Sequence, residues 1–162
     1  MTRALAILLA LALSGCGFQL RGTAELPFAT IFVPGATAGV ALDIKRNIQS
    51  GTRTRVVDDV KSAEAVLQFL QETREKHILS LTGTGRVREF QLRYRVGFRL
   101  HDAKGGEFVP ANTIELTRDV TYNDAQVLAK ETEDQLLYRD MQFDMVQLVM
   151  RRLATAQRPR PQ

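Results

Sequence analysis

Three arginines at even spacings within one stretch, residues 88–102, are the side chains in this sequence best suited to chemistry: Arg93, Arg95 and Arg99. Side chains of a β-strand alternate between its two faces, so these arginines share a face. The opposite face carries apolar residues: Phe90, Leu92, Tyr94, Val96, Phe98 and Leu100. A guanidinium binds phosphate through two parallel hydrogen bonds and keeps its charge. The spacing therefore leaves three hypotheses open: a solvated face, a face paired to neighbouring acids, or an anion site.

Pairing to acids follows if residues 88–102 form a hairpin with a second predicted strand, residues 114–122. The register that we expect joins Arg99 with Glu115, Arg95 with Asp119, and Arg93 with Thr121. Cross-strand ion pairs of this kind contribute a few tenths of a kcal/mol and need no ligand. Because Arg93 has no acid opposite it in this register, we predict Arg93 as the sheet-face arginine that binds an anion.

Cys16 is the only cysteine of the chain, and it follows a segment typical of exported proteins. Arg3 precedes an unbroken apolar run over residues 4–13, which is too short to span a bilayer as a stable helix. The run leads into the sequence LSGC, which resembles the lipobox of bacterial lipoproteins. The alternative is an ordinary signal peptide followed by an incidental cysteine. We predict a signal peptide over residues 1–15, a lipid anchor on Cys16 and, because Gly17 rather than Asp follows, the outer membrane as destination.

Composition indicates one globular domain with an excess of positive charge. The 162 residues are 44% hydrophobic and 25% charged, with a formal net charge of +4. This excess suits an anionic partner, and an exported protein meets anionic lipids rather than nucleic acid. We expect a lipidated tether over residues 16–25, a single domain over residues 26–156 and a disordered tail over residues 157–162.

The sequence gives little support for catalysis. His77 and His101 lie in different charged segments, and neither has a Ser or Cys nucleophile near it. The sequence has no HExxH, no paired-cysteine metal spacing, no GxSxG and no Walker loop. An RNA-binding sheet is also disfavoured, since the aromatic residues of the central strand share the buried face. We predict no enzymatic activity, no metal, no cofactor and no nucleic-acid partner.

The central strand requires other elements to cover its apolar face. Periodicity and turn signals predict further strands at residues 28–33, 63–81 and 114–122, a short strand or entry segment at 54–57, and helices at 38–50 and 127–156. The polar residues 71–77 indicate an exposed or bulged section. Glycines at residues 82–85 predict a hairpin turn.

The last helix is apolar around most of its circumference, with only a narrow polar arc. A surface helix of a small domain normally has a wider polar face. We therefore expect this helix to be covered on two sides, by its own sheet and by a partner. Two candidate partner-facing sides are Leu137 with Met141 and Leu148, and Val149 with Leu153.

Three short motifs carry a resemblance to a known family: residues 16–22 (CGFQLRG), residues 88–92 (REFQL) and residues 127–131 (VLAKE). Together with the order of the elements, they resemble the lipopolysaccharide-assembly lipoprotein LptE family over essentially the whole mature chain. The resemblance implies an α+β fold, a two-layer sandwich in which an about four-stranded, mostly antiparallel sheet carries two helices on one face.

The resemblance also implies a partner and a ligand. Members of the family sit as a plug in the lumen of the outer-membrane β-barrel LptD and bind lipopolysaccharide without catalysis. Their lipopolysaccharide contacts are a basic hairpin residue and a lysine ahead of the long helix. Lys130 matches the lysine, and Arg86 is the basic residue nearest to the hairpin turn, so the candidate set is Lys130, Arg93 and Arg86. The alternative function is another periplasm-facing lipoprotein that binds or carries an anionic lipid.

Overall fold

The computed structural model describes residues 25–121 and 127–157. Within these residues, two helices cover one face of a five-stranded sheet. The strands are β1 (Thr30–Phe32), β2 (Arg55–Val57), β3 (Ala65–Leu81), β4 (Val87–His101) and β5 (Glu107–Thr121), and the helices are α1 (Gly39–Gly51) and α2 (Val127–Ala154). The order across the sheet is β2-β1-β3-β4-β5. The predicted α+β class is confirmed.

The predicted sheet of about four mostly antiparallel strands is correct only in part. β1 pairs in parallel with both β2 and β3, so the sheet is mixed. In the described residues the sheet has five strands instead of about four. Parallel strands need a crossover connection, and α1 provides it between β1 and β2. β2 has only three residues, which is too short for a period-two pattern to identify.

The long strands β3, β4 and β5 form an antiparallel meander, and here the period-two pattern is reliable. The predicted apolar face of β4 is fully buried over most of its length, at Leu92, Tyr94, Val96, Phe98 and Leu100. Irregular pairing between Phe69 and Gln71, and again after Ile78, flanks the polar section predicted to be exposed or bulged. The predicted hairpin turn is confirmed by the bond from the Thr82 amide to the Arg86 carbonyl, 2.7 Å.

Both helices pack on the apolar face of the sheet. α1 buries Val40, Ile44 and Ile48, the stripe of four-residue spacing that the sequence predicts. α2 buries Met141, Met145, Val146, Val149 and Leu153 against α1 and the sheet. The opposite face of β4, which carries the arginines, has no helix over it in the described part of the chain.

A carboxylate from β3 caps the start of α1. Ala38, the residue before the helix, provides no side-chain cap, and Glu72 Oε2 instead accepts from the Val40 amide at 3.2 Å. The other oxygen, Oε1, accepts from the Tyr94 hydroxyl at 2.6 Å. An anionic group is stabilised at a helix N-terminus because the unpaired amides and the helix dipole are positive there. Glu72 therefore joins α1, β3 and β4 at one point.

We expect this contact to make stability fall at high pH. Burial, and then the Glu72 carboxylate, raise the pKa of Tyr94 above the value of about 10 that it has in the unfolded chain. Below pH 10 the phenol is protonated in both states, so its full contribution is present. Above pH 10 only the unfolded chain releases the proton, and each further pH unit removes at most about 1.4 kcal/mol from the free energy of unfolding.

Urea unfolding between pH 8 and 11 measures this slope. Tyr94→Phe should be less stable throughout and should have a shallower decline above pH 10. Equal slopes for the two proteins would show that another group causes the decline.

Candidate functional site

The uncovered face of the sheet contains a chain of ion pairs between two arginines and two carboxylates. Arg95 Nη2 lies 2.6 Å from Glu75 Oε2, and Arg95 Nε lies 3.2 Å from Glu115 Oε2. Arg93 Nε lies 3.5 Å from Glu115 Oε1. The hydrogen bond from His77 lowers the pKa of Glu75 against the opposing effect of desolvation, and the hydrogen bond and charge of Arg95 lower this pKa further. The Glu75 carboxylate therefore stays charged near neutral pH, and Glu75 and Glu115 both lie within ion-pair distance of Arg95.

The predicted register of β4 with β5 is wrong by four residues. Arg95, not Arg99, lies opposite Glu115, while Arg93 lies opposite Thr117. Arg99 instead donates from Nε to Gln68 Oε1 at 2.8 Å. The predicted pairing of Arg95 with an acid is correct, although the acid is different. The expectation that Arg93 lacks an acid is wrong.

The turn between β4 and β5 sets this register. Asp102 Oδ1 accepts from the amides of Lys104 and Gly106, which closes a tight turn, and β5 begins at once with Glu107. Register shifts on both sides of Leu100 then change the pairing of β5 with β4 further along the strand. The sequence prediction started this strand at residue 114, seven residues too late. Pro110 lies within β5, because an edge strand tolerates proline.

The three candidate lipopolysaccharide contacts do not form one cluster. Lys130 lies on α2, its Nζ is 2.7 Å from Glu133 Oε2, and its side chain is only 16% exposed. One helical turn later, Asp134 contacts Lys76 of β3, which places this end of α2 over the helix-covered face. Arg93 lies on the opposite face of the sheet. Lys130 and Arg93 therefore cannot bind the same phosphate group.

The end of the β3–β4 hairpin combines apolar and basic side chains. Ile78, Leu79 and Leu81 are exposed large hydrophobic residues, and Arg86 and Arg88 follow them across the turn. The sequence prediction treated these apolar residues as an ordinary strand. The sequence did contain a signal for this exposure. Adjacent strand residues such as Ile78 and Leu79 point to opposite faces of the sheet, and helices on one face can cover only one of the two side chains.

The outward face of α2 differs from both predicted sides. Met141, Val149 and Leu153 are fully buried in the core of the domain, so their assignment to a partner surface is wrong. Leu137 is partly buried against the same core, and Leu148 is also only partly exposed. Over residues 130–154 of α2, the exposed large apolar residues are Leu136, 50% exposed, and Phe143, 65% exposed. We call this pair the α2 outer strip.

Polar contacts hold the other side of α2 to the sheet. Lys76 contacts Asp134, Arg74 contacts Gln142, Arg118 Nη2 lies 2.8 Å from Asp144 Oδ2, and the Tyr138 hydroxyl donates to the Glu75 carbonyl at 2.6 Å. These contacts account for the charged residues on the helix-covered face of β3 and β5. They also orient α2 so that the outer strip points away from the sheet.

The described residues hold neither a metal-binding cluster nor a membrane-spanning helix. Among them, no group of three or more His, Cys, Asp or Glu side chains could hold a metal ion. No helix within the described ranges has the length and apolar character needed to cross a bilayer. Cys16, the predicted lipidation site, lies outside these ranges.

Comparison with known proteins gives concordant matches. The lipopolysaccharide-assembly family LptE matches residues 28–153. The LPS-assembly lipoprotein LptE of Photorhabdus laumondii is 24% identical over 159 residues, covering 94% of this chain and 86% of that protein. Its counterpart in Yersinia pestis is 26% identical over 160 residues, covering 94% and 76%.

Solved structures give the same fold. An uncharacterized lipoprotein B from Nitrosomonas europaea is 44% identical, with a TM-score of 0.72 over 83% of this chain and 88% of that one. The rare lipoprotein B from Shewanella oneidensis, 24% identical, has a TM-score of 0.67 over 81% and 94% of the two chains. The second similarity concerns the fold alone.

Proposed function

Because the chain belongs to the LptE family of lipopolysaccharide-assembly lipoproteins, we propose that it plugs the outer-membrane β-barrel LptD and assists insertion of lipopolysaccharide. It does so by binding, without catalysis. Its lipid anchor on Cys16 holds it at the periplasmic side of the outer membrane, and the barrel lumen encloses the folded domain. Relatives named for lipopolysaccharide assembly support this assignment.

The observation that carries the proposal is the α2 outer strip. α2 already buries an apolar face within the domain, and outside that face it exposes two large apolar residues, Leu136 and Phe143, which are seven residues apart. Side chains at this spacing lie close to one line along a helix. Together with the family, this exposed apolar line on α2 supports a contact surface there. A barrel wall around the domain would cover them.

The experiment that tests the proposal is affinity purification from detergent-solubilised outer membranes. We expect a large β-barrel protein to co-purify in stoichiometric amount and to be identified as LptD by mass spectrometry. If the purified protein carries lipopolysaccharide or another anionic lipid but no barrel, the alternative function of an independent lipid-binding lipoprotein is favoured.

The anchor is tested by mass spectrometry of the intact purified protein. We expect the mature chain to begin at Cys16 and to carry the mass of several acyl chains, because a single chain binds membranes only weakly. Cys16→Ala should lose the lipid and should keep part of its barrel association. A lipid-free mature protein that begins at another residue would contradict the anchor.

We propose that lipopolysaccharide phosphates contact the hairpin end, with Arg86 and Lys130 as the principal cations and Arg93 as a further contact on the opposite face. Ile78, Leu79 and Leu81 lie beside the hairpin cations and suit acyl chains. Basic side chains here would replace the divalent cations that bridge neighbouring lipopolysaccharide molecules. Lys130 has to leave Glu133 and Arg93 has to leave Glu115 before either can bind a phosphate. Arg93 also lies on the opposite face of the sheet, away from the hairpin apolar residues, so we expect its contribution to be smaller.

Arg86→Glu combined with Lys130→Glu should weaken binding of the purified protein to lipopolysaccharide about tenfold at low salt. The reason is that a charge-assisted phosphate contact contributes roughly 1.5–3 kcal/mol when partly desolvated and less when screened. The matched control is Arg46→Glu with Arg55→Glu, two exposed arginines on α1 and β2, which makes the same change in net charge. Equal loss in both double variants would indicate a general charge effect instead of a site.

A further inference from the structure

A groove lies between the edge strand β5 and the last turns of α2. Its volume is about 460 Å³, Arg151 and Arg152 lie on its helix side, and Ile114 and Leu148 line it with apolar surface. A second hollow of about 210 Å³ continues along β5 past Pro110 and shares Arg152 with the first. Ile114 packs against the hydrophobic core. The groove therefore opens at the side of the domain, between the sheet layer and the helix layer.

No described side chain pairs with the positive charge beside this groove. Neither Arg151 nor Arg152 forms a side-chain ion pair or hydrogen bond with any residue that the structure describes. Asp144, the last acidic residue of the sequence, is already bound to Arg118 at 2.8 Å. Residues 145–162 contain four arginines and no acid. The C-terminus of a helix carries only about half a negative charge, which is too little to balance them.

Backbone contacts at this edge of the sheet are partly blocked. Pro110 has no amide hydrogen, and its carbonyl already accepts from Asn112 Nδ2 at 2.9 Å. An extended peptide that adds to a sheet edge depends on such backbone groups. The blocked edge therefore disfavours a protein strand, whereas a ligand with an anionic head and an apolar chain needs only the arginines and the apolar lining.

We propose that this groove binds lipid A, with a phosphate held by Arg151 and Arg152 and an acyl chain over Ile114 and Leu148. The inference rests on the proposed function and adds a second lipid site to it. Lys130 and Arg151 are 21 residues apart on α2, which corresponds to roughly 30 Å at 1.5 Å per residue. The two sites therefore lie at opposite ends of the long helix and cannot contact the same phosphate group.

The test uses the purified full chain with Cys16→Ala, so that no lipid anchor inserts into the membrane, and phosphatidylcholine vesicles that contain lipid A. Arg151→Glu with Arg152→Glu should lower affinity at least tenfold, because reversal of both charges replaces phosphate attraction with repulsion. Arg46→Glu with Arg55→Glu, which has the same net charge, should stay within about twofold of the parent. Arg151→Lys with Arg152→Lys should keep most of the affinity, and an unchanged melting temperature should confirm that all variants fold.

Two further vesicle types identify the ligand. Vesicles with dephosphorylated lipid A should bind weakly to the parent and should not distinguish the variants. If vesicles with phosphatidylglycerol show the same tenfold loss, the groove is a general anionic-lipid surface and the assignment to lipid A is overturned. If the double variant loses barrel co-purification and keeps lipid A binding, the occupant is protein and the lipid site is likewise overturned.

Failure of this inference can be separated from failure of the proposed function. If the parent binds lipid A, and Arg86→Glu with Lys130→Glu weakens it while the groove variant does not, the hairpin-end site remains and the groove is excluded. If the parent binds no lipid A vesicles at all, lipopolysaccharide binding fails as a whole.

Discussion

Leu136→Glu combined with Phe143→Glu should weaken association with the barrel partner at least tenfold and leave the domain folded. Leu136 is 50% exposed and Phe143 is 65% exposed, so neither charge has to enter the core. Exposed substitutions of this kind change the free energy of unfolding by about 0.5 kcal/mol or less. In an enclosed interface, however, each glutamate would lose its water without gaining a partner. Co-purification yield and chemical unfolding together measure the two effects.

Leu70→Glu is the control for the effect of a single exposed glutamate placed elsewhere on the domain. Leu70 is also 50% exposed, but it lies at the irregular pairing of β3 with β4 instead of on α2. We expect it to reduce barrel association much less. Met145→Glu provides the opposite control, because Met145 is fully buried and a charge there should unfold the domain. If the double variant on α2 still co-purifies with the barrel as the parent does, the outer strip is not the interface.

Gly39→Ala should lower the free energy of unfolding by about 2–4 kcal/mol, a large fraction of the stability of a typical domain. Gly39 has a φ angle of +61°, which costs an L-residue roughly 1–2 kcal/mol. A Cβ atom would also lie 2.5 Å from Glu72 Oε2. The carboxylate can swing away, but it then leaves the Val40 amide and the Tyr94 hydroxyl without their partner, at about 1 kcal/mol each. Urea unfolding at pH 7 measures the loss.

Gly35→Ala separates the two causes of this effect. Gly35 has a similar φ angle, +66°, and nothing lies within 4 Å of the position that its Cβ would take. It should therefore show the backbone strain alone, about 1–2 kcal/mol. In a Glu72→Ala background, Gly39→Ala should cost no more than Gly35→Ala, since the capping contact is already absent. Equal costs for the two glycines in the parent would show that the Glu72 contact contributes nothing.

Local periodicity determined much of the architecture. The alternation along residues 88–102 fixed the buried face of β4, because side-chain direction in a strand depends only on the backbone repeat. The glycines of residues 82–85 located the hairpin, and the long helix was predicted from residue 127, where α2 begins. The excess of apolar residues on this helix also indicated, before any coordinates, that it has more apolar surface than one sheet can cover.

Tertiary contacts decided the candidate sites. The partner of Arg93 depends on the register of β5, which the Asp102 turn and the irregular pairing near Leu100 set together. A helical wheel gives the angular distribution of apolar residues but not the direction of the sheet. The sequence prediction therefore placed Met141 and Val149 on the outward side of α2, whereas Leu136 and Phe143 are the residues that face outward. The Glu72 cap joins residues 32 apart in sequence. Such contacts are set by how separate elements pack together, and the repeat of a single element carries no information about them.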